Sequence, residues 1–167
     1  MTPESVGPLS RPIAIDHLPP EGIETTVEAT AEERAALAAD FKLPAIHSLE
    51  GRFRLTGSSE RVHVAGKVRA SIAQTCVVSL DPFDSVVEEE VAVEFSIRSA
   101  SSGSQDPDEP PDEITDGRID LGSLTAEFLV LGLDPHPRKP GADFEFDAGP
   151  DGTDSPFAAL RKLKSPE

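Results

Sequence analysis

Ile23, Thr25, Val27 and Ala29 alternate with Glu24, Thr26 and Glu28. A period of two predicts a strand with one buried face. Three longer runs repeat the pattern. Leu49, Gly51, Phe53 and Leu55 alternate with Glu50, Arg52 and Arg54. Val62, Val64, Gly66, Val68, Ala70 and Ile72 alternate with Arg61, His63, Ala65, Lys67, Arg69 and Ser71. Val87, Val91, Val93, Phe95 and Ile97 run against Glu88, Glu90, Ala92, Glu94 and Ser96. Turn residues at 57–60 and 81–83 separate these runs, and Arg11–Asp16 adds a short strand with Ile13 and Ile15 on one face. Alternation with polar partners predicts an antiparallel sheet of about five strands, dry on one side and wet on the other.

Two segments change to a helical period. Thr30 to Lys42 opens with Thr30 and Glu33 at capping-box spacing, where hydroxyl and carboxylate each satisfy an orphan backbone N–H. Leu37, Ala38 and Phe41 then share a core-facing stripe, and Pro44 closes the segment. Asp120 caps a second helix from about Leu121 to Leu133. Phe128, Leu129, Val130 and Leu131 are apolar on nearly every side, which predicts burial all round. A short C-terminal helix is expected from Phe157 to Lys164, with Ser155 as cap and Pro156 in the first helical position. The fold class is therefore α+β: a sheet backed by two helices, plus the short C-terminal helix.

Residues 1–10 read as a flexible tail, and 11–164 as a single domain. Residues 99–113 and about 142–154 are acidic and Pro- or Gly-bearing, with too little apolar area to offset the cost of ordering them. They are expected to be disordered loops.

Charge sharpens this picture. Of 167 residues, 31 are acidic and 15 basic, a net charge of −16. Residues 76–97 hold six acids and no base, 106–120 seven acids and one base, and 143–154 five acids and no base. These windows carry a net −17, which leaves the rest of the chain at +1. Such a chain repels bulk nucleic acid at long range. Contact with RNA then requires a local basic patch, and the acidic segments suit a basic protein. No run approaches the roughly 18 apolar residues of a membrane span. The first twelve residues lack the basic and apolar regions of a secretory signal. A cytoplasmic protein with no membrane partner is expected.

Candidate chemistry is sparse. There is no Gly-rich phosphate loop, no GxSxG and no HExxH. The four His, at 17, 47, 63 and 136, do not pair at ligand spacing, and the single Cys cannot supply a tetrahedral thiolate site. No metal, cofactor or catalytic residue is expected. Cys76 reads either as a nucleophile or as a small apolar residue at a sheet corner. With no base nearby in sequence to activate it, the second reading is preferred. Glu88, Glu90 and Glu94 face Lys67 and Arg69 across a strand pair, so cross-strand charge pairing explains both sets without a ligand. The basic set Arg52, Arg54, Arg61, His63, Lys67 and Arg69 falls on the wet faces of two hairpin-spaced strands. It is either a candidate phosphate-binding patch or a solvated face neutralised by those glutamates.

Three segments together resemble the YceD family, the large ribosomal RNA subunit accumulation proteins. They are Gln74 to Phe83 (QTCVVSLDPF), Ile119 to Pro140 (IDLG through LDPHPRKP), and Ser155 to Lys164 (SPFAAL with Leu163-Lys164). The motif positions are Cys76, Pro82, Asp120, Glu127, Pro135, Pro137, Arg138, Pro156 and Phe157. The resemblance implies a non-enzymatic role in accumulation or processing of large-subunit rRNA and in ribosome assembly. Many relatives carry C-x-x-C at the first motif and a further Cys after the second. Here Ser79 stands at the second position and the later Cys is missing, so a shared function does not depend on a thiolate metal site. The implied partner is large-subunit rRNA or a pre-ribosomal particle, reached directly or through a basic ribosomal protein; no DNA partner is expected. The competing readings are an acidic chaperone for that basic protein and, ranked last, an enzyme using Cys76.

Overall fold

The computed structural model describes residues 7–97, 112–114 and 116–143. Its strands are β1 (Pro12–Ala14), β2 (Ile23–Glu28), β3 (Ala45–Ser58), β4 (Arg61–Thr75), β5 (Pro82–Ser96), β6 (Asp112–Glu113) and β7 (Arg118–Asp120). The helices among the described residues are α1 (Ala31–Asp40) and α2 (Leu121–Leu131). The expected C-terminal helix lies outside the described residues.

Five strands form one sheet in the order β2-β3-β4-β5-β6, and β1 pairs with β7 in a separate two-stranded ribbon. β2 to β5 are antiparallel neighbours, as the alternation predicts. The sheet is nevertheless mixed, because β6 lies parallel to β5 through Phe95↔Asp112 and Ser96↔Glu113. This corrects the purely antiparallel expectation. A parallel neighbour needs a crossover of about a dozen residues or more, and the acidic stretch 98–111 supplies that length. Asp112 and Glu113, expected inside a disordered loop, are thus the end of a crossover, with Ile114 buried beside them.

The inner face of the sheet carries the core. Leu49, Phe53 and Leu55 on β3, Val62, Val64, Val68, Ala70 and Ile72 on β4, and Val87 and Val91 on β5 are all buried. Both helices pack on this side. α1 has its capping box: Glu33 N–H donates to Thr30 Oγ1 at 3.3 Å, and Thr30 N–H donates to Glu33 Oε2 at 2.8 Å. Leu37 and Ala38 face inward, and Phe41 is half-buried. The helix ends at Asp40, two residues short of expectation, because the backbone turns left-handed at Lys42 (φ 56°).

α2 starts over β1 and ends over β5. Leu121, Leu124, Thr125 and Leu129 are buried. Gly51 lets the helix approach β3: a Cβ there would stand 2.6 Å from Thr125 Oγ1. The expectation that the second half of α2 is buried all round does not hold. Leu129 is buried and Phe128 half-buried, but Val130 is 43% and Leu131 72% exposed. The helix has the sheet on one side only, so Val130 and Leu131, about 100° and 200° round from Leu129, face water.

Leu9 and Ser10, the residues just ahead of Arg11, pack against the start of α2. Leu9 is buried, and Ser10 Oγ donates to Asp120 Oδ2 at 2.6 Å. The chain crosses the start of α2 so closely that a Cβ on Gly122 would sit 2.7–2.8 Å from the backbone of Ser10 and Arg11. Leu9 and Ser10 therefore belong to the packed domain.

Candidate functional site

Strand pairing decides whether the six basic residues converge. The β3–β4 register sets Arg54 opposite Ala65, Arg52 opposite Lys67, and Ser58 opposite Arg61. The β4–β5 register sets His63 opposite Glu94, Lys67 opposite Glu90, and Arg69 opposite Glu88. Arg52, Arg54, Arg61, His63, Lys67 and Arg69 are all exposed and lie on the outer face, away from both helices. Alternation puts each strand's bases on one face, and the β3–β4 pairing brings the two sets together.

The same face collects acids. Register places Glu24 and Glu28 of β2, Glu50 of β3, and Glu88, Glu90 and Glu94 of β5 beside the five permanent cations. Arg54 Nη1 lies 3.0 Å from Glu24 Oε1, Arg69 Nε 3.3 Å from Glu88 Oε1, and Arg61 Nε 3.5 Å from Glu94 Oε1. Arg52 is bonded to Glu50, which holds its guanidinium pKa above the ordinary value. Lys67 stands opposite Glu90. The bases form a central stripe on β3 and β4 with acidic strands on both flanks. Between them, Ala65 and Gly66 leave a shallow depression rimmed by Glu24, Thr26, Arg52 and Arg54. A phosphate approaching Arg52 or Arg54 would compete with a carboxylate already bonded there.

A second convergence was not legible from spacing. After β4 the chain folds tightly on itself: Cys76 N–H donates to Asp81 O and Leu80 N–H to Cys76 O, both at 2.9 Å. Val78 and Ser79 N–H both point at Cys76 Sγ, 3.4 Å away. The segment following α2 then returns to this turn. Val77 N–H donates to Pro137 O at 2.9 Å, and Lys139 Nζ lies 3.9 Å from Asp81 Oδ2. Residues from two of the three family-like motifs thus meet at one end of the sheet. Backbone carbonyls such as that of Pro137 leave no mark in a sequence, so nothing there could have signalled the contact.

Cys76 is fully covered within this knot. Hydrogen bonds from the Ser79 hydroxyl, then from the Ser79 and Lys139 N–H groups, pull its thiol down to about 6. Desolvation opposes this. It is the weaker influence beside these hydrogen bonds. Exposed Leu80 holds a left-handed backbone (φ 60°), which a non-glycine residue adopts only where surrounding bonds enforce it.

The other motif residues are scattered. Pro82 opens β5 opposite Thr75. Pro135 and Arg138 are exposed and Pro137 half-buried in the returning segment. Asp120 caps α2 by accepting from Gly122 and Ser123 N–H, and it also holds Ser10 and the Arg11 N–H. Burial pulls its carboxyl pKa up, but these hydrogen bonds outweigh that and leave it lowered. Glu127 is exposed on α2 and accepts from Ser123 Oγ at 3.1 Å. Pro156 and Phe157 lie outside the described residues. Among the described residues, no three His, Cys, Asp or Glu side chains gather as metal ligands would, and no helix is long and apolar enough to cross a membrane.

A family model described as large ribosomal RNA subunit accumulation protein YceD matches residues 64–164. The match takes in most of β4, then β5, α2, the knot around Cys76 and the C-terminal segment. No curated protein and no solved structure matches the chain.

Proposed function

The chain belongs to the YceD family of large ribosomal RNA subunit accumulation proteins, and from that premise we propose that it supports large-subunit rRNA accumulation as a non-enzymatic assembly factor. We place its contact with the pre-ribosomal particle on a basic ribosomal protein, held by the acidic segments, in preference to direct contact with RNA. The observation that carries this choice is the pairing on the outer face. Arg52, Arg54, Arg61 and Arg69 are each engaged by a glutamate, and acids flank the stripe on both sides.

RNA affinity rests on phosphates neutralised by free cations, with release of their counterions. A cation that must first leave a carboxylate contributes little to that exchange. The surplus of negative charge lies instead in residues 106–120 and 143–154, which hold twelve acids and one base. This distribution speeds encounter with a cationic partner through long-range attraction. The low thiol pKa of Cys76 has a structural cause in its own turn, and its full burial keeps a substrate away, so the enzyme reading finds no support there.

Crosslinking in cells, with bound RNA and bound protein both identified, tests the proposal. The expected result is a basic large-subunit protein as the principal crosslinked species, lost when Asp106, Asp108 and Glu109 are neutralised. Abundant direct crosslinks from the β3–β4 hairpin to rRNA would overturn the choice of partner and restore the basic face as the contact.

A further inference from the structure

α2 presents a stripe that nothing covers among the described residues. Glu127, Val130 and Leu131 fall at i, i+3 and i+4 and so share one helix face. Glu127 is exposed, Val130 is 43% exposed and Leu131 72%. At the end of this helix, Gly132 lies against Val87 and Glu89 of β5. Glu89 is the member of its glutamate triplet that turns to the inner face, opposite Val68, where it is half-buried. It stands at the negative end of the α2 dipole, and no described cation is within ion-pair reach. Exposed apolar area and uncompensated negative charge thus meet at one corner.

The segment Ser155–Lys164 has the complementary pattern. Phe157, Leu160, Arg161 and Lys164 recur at i, i+3, i+4 and i+7, and the segment has Lys162 as a third cation and no acid. The last described residue, Asp143, follows Lys139, which is held at the Asp81 turn at the foot of β5. Glu89 is eight residues along that strand, about 27 Å at strand rise. Residues 144–154 provide a tether that spans up to about 40 Å when extended. We infer that Ser155–Lys164 docks on the Glu127–Leu131 stripe of α2, placing Phe157 and Leu160 on Val130 and Leu131 and its cations beside Glu127 and Glu89. Docking removes the apolar pair from water and neutralises the corner. It also withholds a basic peptide from other acidic surfaces.

The sequence has no Trp and no Tyr, so Phe157→Trp in the full chain gives a single reporter. The inference predicts a blue-shifted emission, shielded from acrylamide and independent of protein concentration. In the Leu131→Asp background the emission should redden to that of free tryptophan, and quenching should rise several-fold. Leu131→Ser should shift both in the same direction by less. Unchanged far-UV circular dichroism shows that the fold is kept, as the exposure of Leu131 requires. Three results each overturn the inference: a red emission before any change to α2, a blue emission that both Leu131 variants leave untouched, or a blue shift that grows with concentration, which would put a second copy on the stripe.

Discussion

Arg54 reaches across the β2–β3 pair to Glu24, the residue directly opposite it in the register, at 3.0 Å. The pair is exposed, and it is one of three that tie the basic stripe to its acidic flanks. Exposed pairs of this kind contribute about 0.2–1 kcal/mol each. A double-mutant cycle on Glu24→Gln and Arg54→Gln, followed by urea unfolding, should return a coupling energy in that range. It should shrink in high salt. A coupling of zero at low salt would mean that Arg54 is free to bind an anion.

Arg11 and Glu33 are a tighter pair, with Nη1 and Nη2 of the guanidinium on the carboxylate at 2.8 and 3.0 Å. The hydrogen bonds from Arg11, then from the Thr30 N–H, hold the Glu33 carboxyl down to about 2. A carboxyl lowered on folding adds stability that is complete above its unfolded pKa of about 4.3 and is lost as the pH falls through the folded value. Glu33→Gln should therefore cost on the order of 1 kcal/mol at neutral pH, after discounting for solvent screening. The gap between variant and parent should close between about pH 4.5 and 2. A gap that persists at pH 2 would assign the loss to packing instead of charge.

Gly122 tests the crossing of the N-terminal segment over α2. A methyl group there meets backbone, which cannot swing aside. Gly122→Ala should destabilise by about 1–3 kcal/mol, the range for overpacking a close contact. It should also raise amide exchange at Arg11, whose N–H is held by Asp120. An unchanged melting temperature would mean that the segment before β1 does not stay on the helix.

Much of this architecture was legible because strands advertise themselves. The alternation in β3, β4 and β5 fixed which side chains share a face, and the outer-face grouping of the six basic residues followed from it. Thr30 with Glu33, and Asp120 before its helix, marked both helix starts. What stayed hidden depends on tertiary surroundings. Val130 and Leu131 are as apolar as Leu129, and only the placement of α2 on the sheet leaves them exposed. The parallel pairing of Asp112 and Glu113 rests on backbone hydrogen bonds, for which an acidic dipeptide has no propensity signal. The junction of Val77 with Pro137 is invisible for the same reason.

Cys76 combines a lowered thiol pKa with full burial. Reactivity requires both thiolate and access, so the native protein should react with iodoacetamide far more slowly than the denatured chain. Because the pKa is lowered on folding, stability should rise as the pH passes from about 6 toward the unfolded value of about 8.5. Cys76→Ala should abolish that rise. Fast alkylation of the native protein would show that the turn opens readily and would return Cys76 to the list of reactive groups.

The level of large-subunit rRNA in cells bearing Arg52→Gln, Arg54→Gln, Lys67→Gln and Arg69→Gln together, compared with cells in which Asp106, Asp108 and Glu109 are neutralised, tests the central claim most directly. The account predicts near-normal rRNA in the first strain and a clear deficit in the second, with both proteins present at parental levels. A deficit in the first strain with normal rRNA in the second would contradict it and would make the outer sheet face an RNA-binding surface.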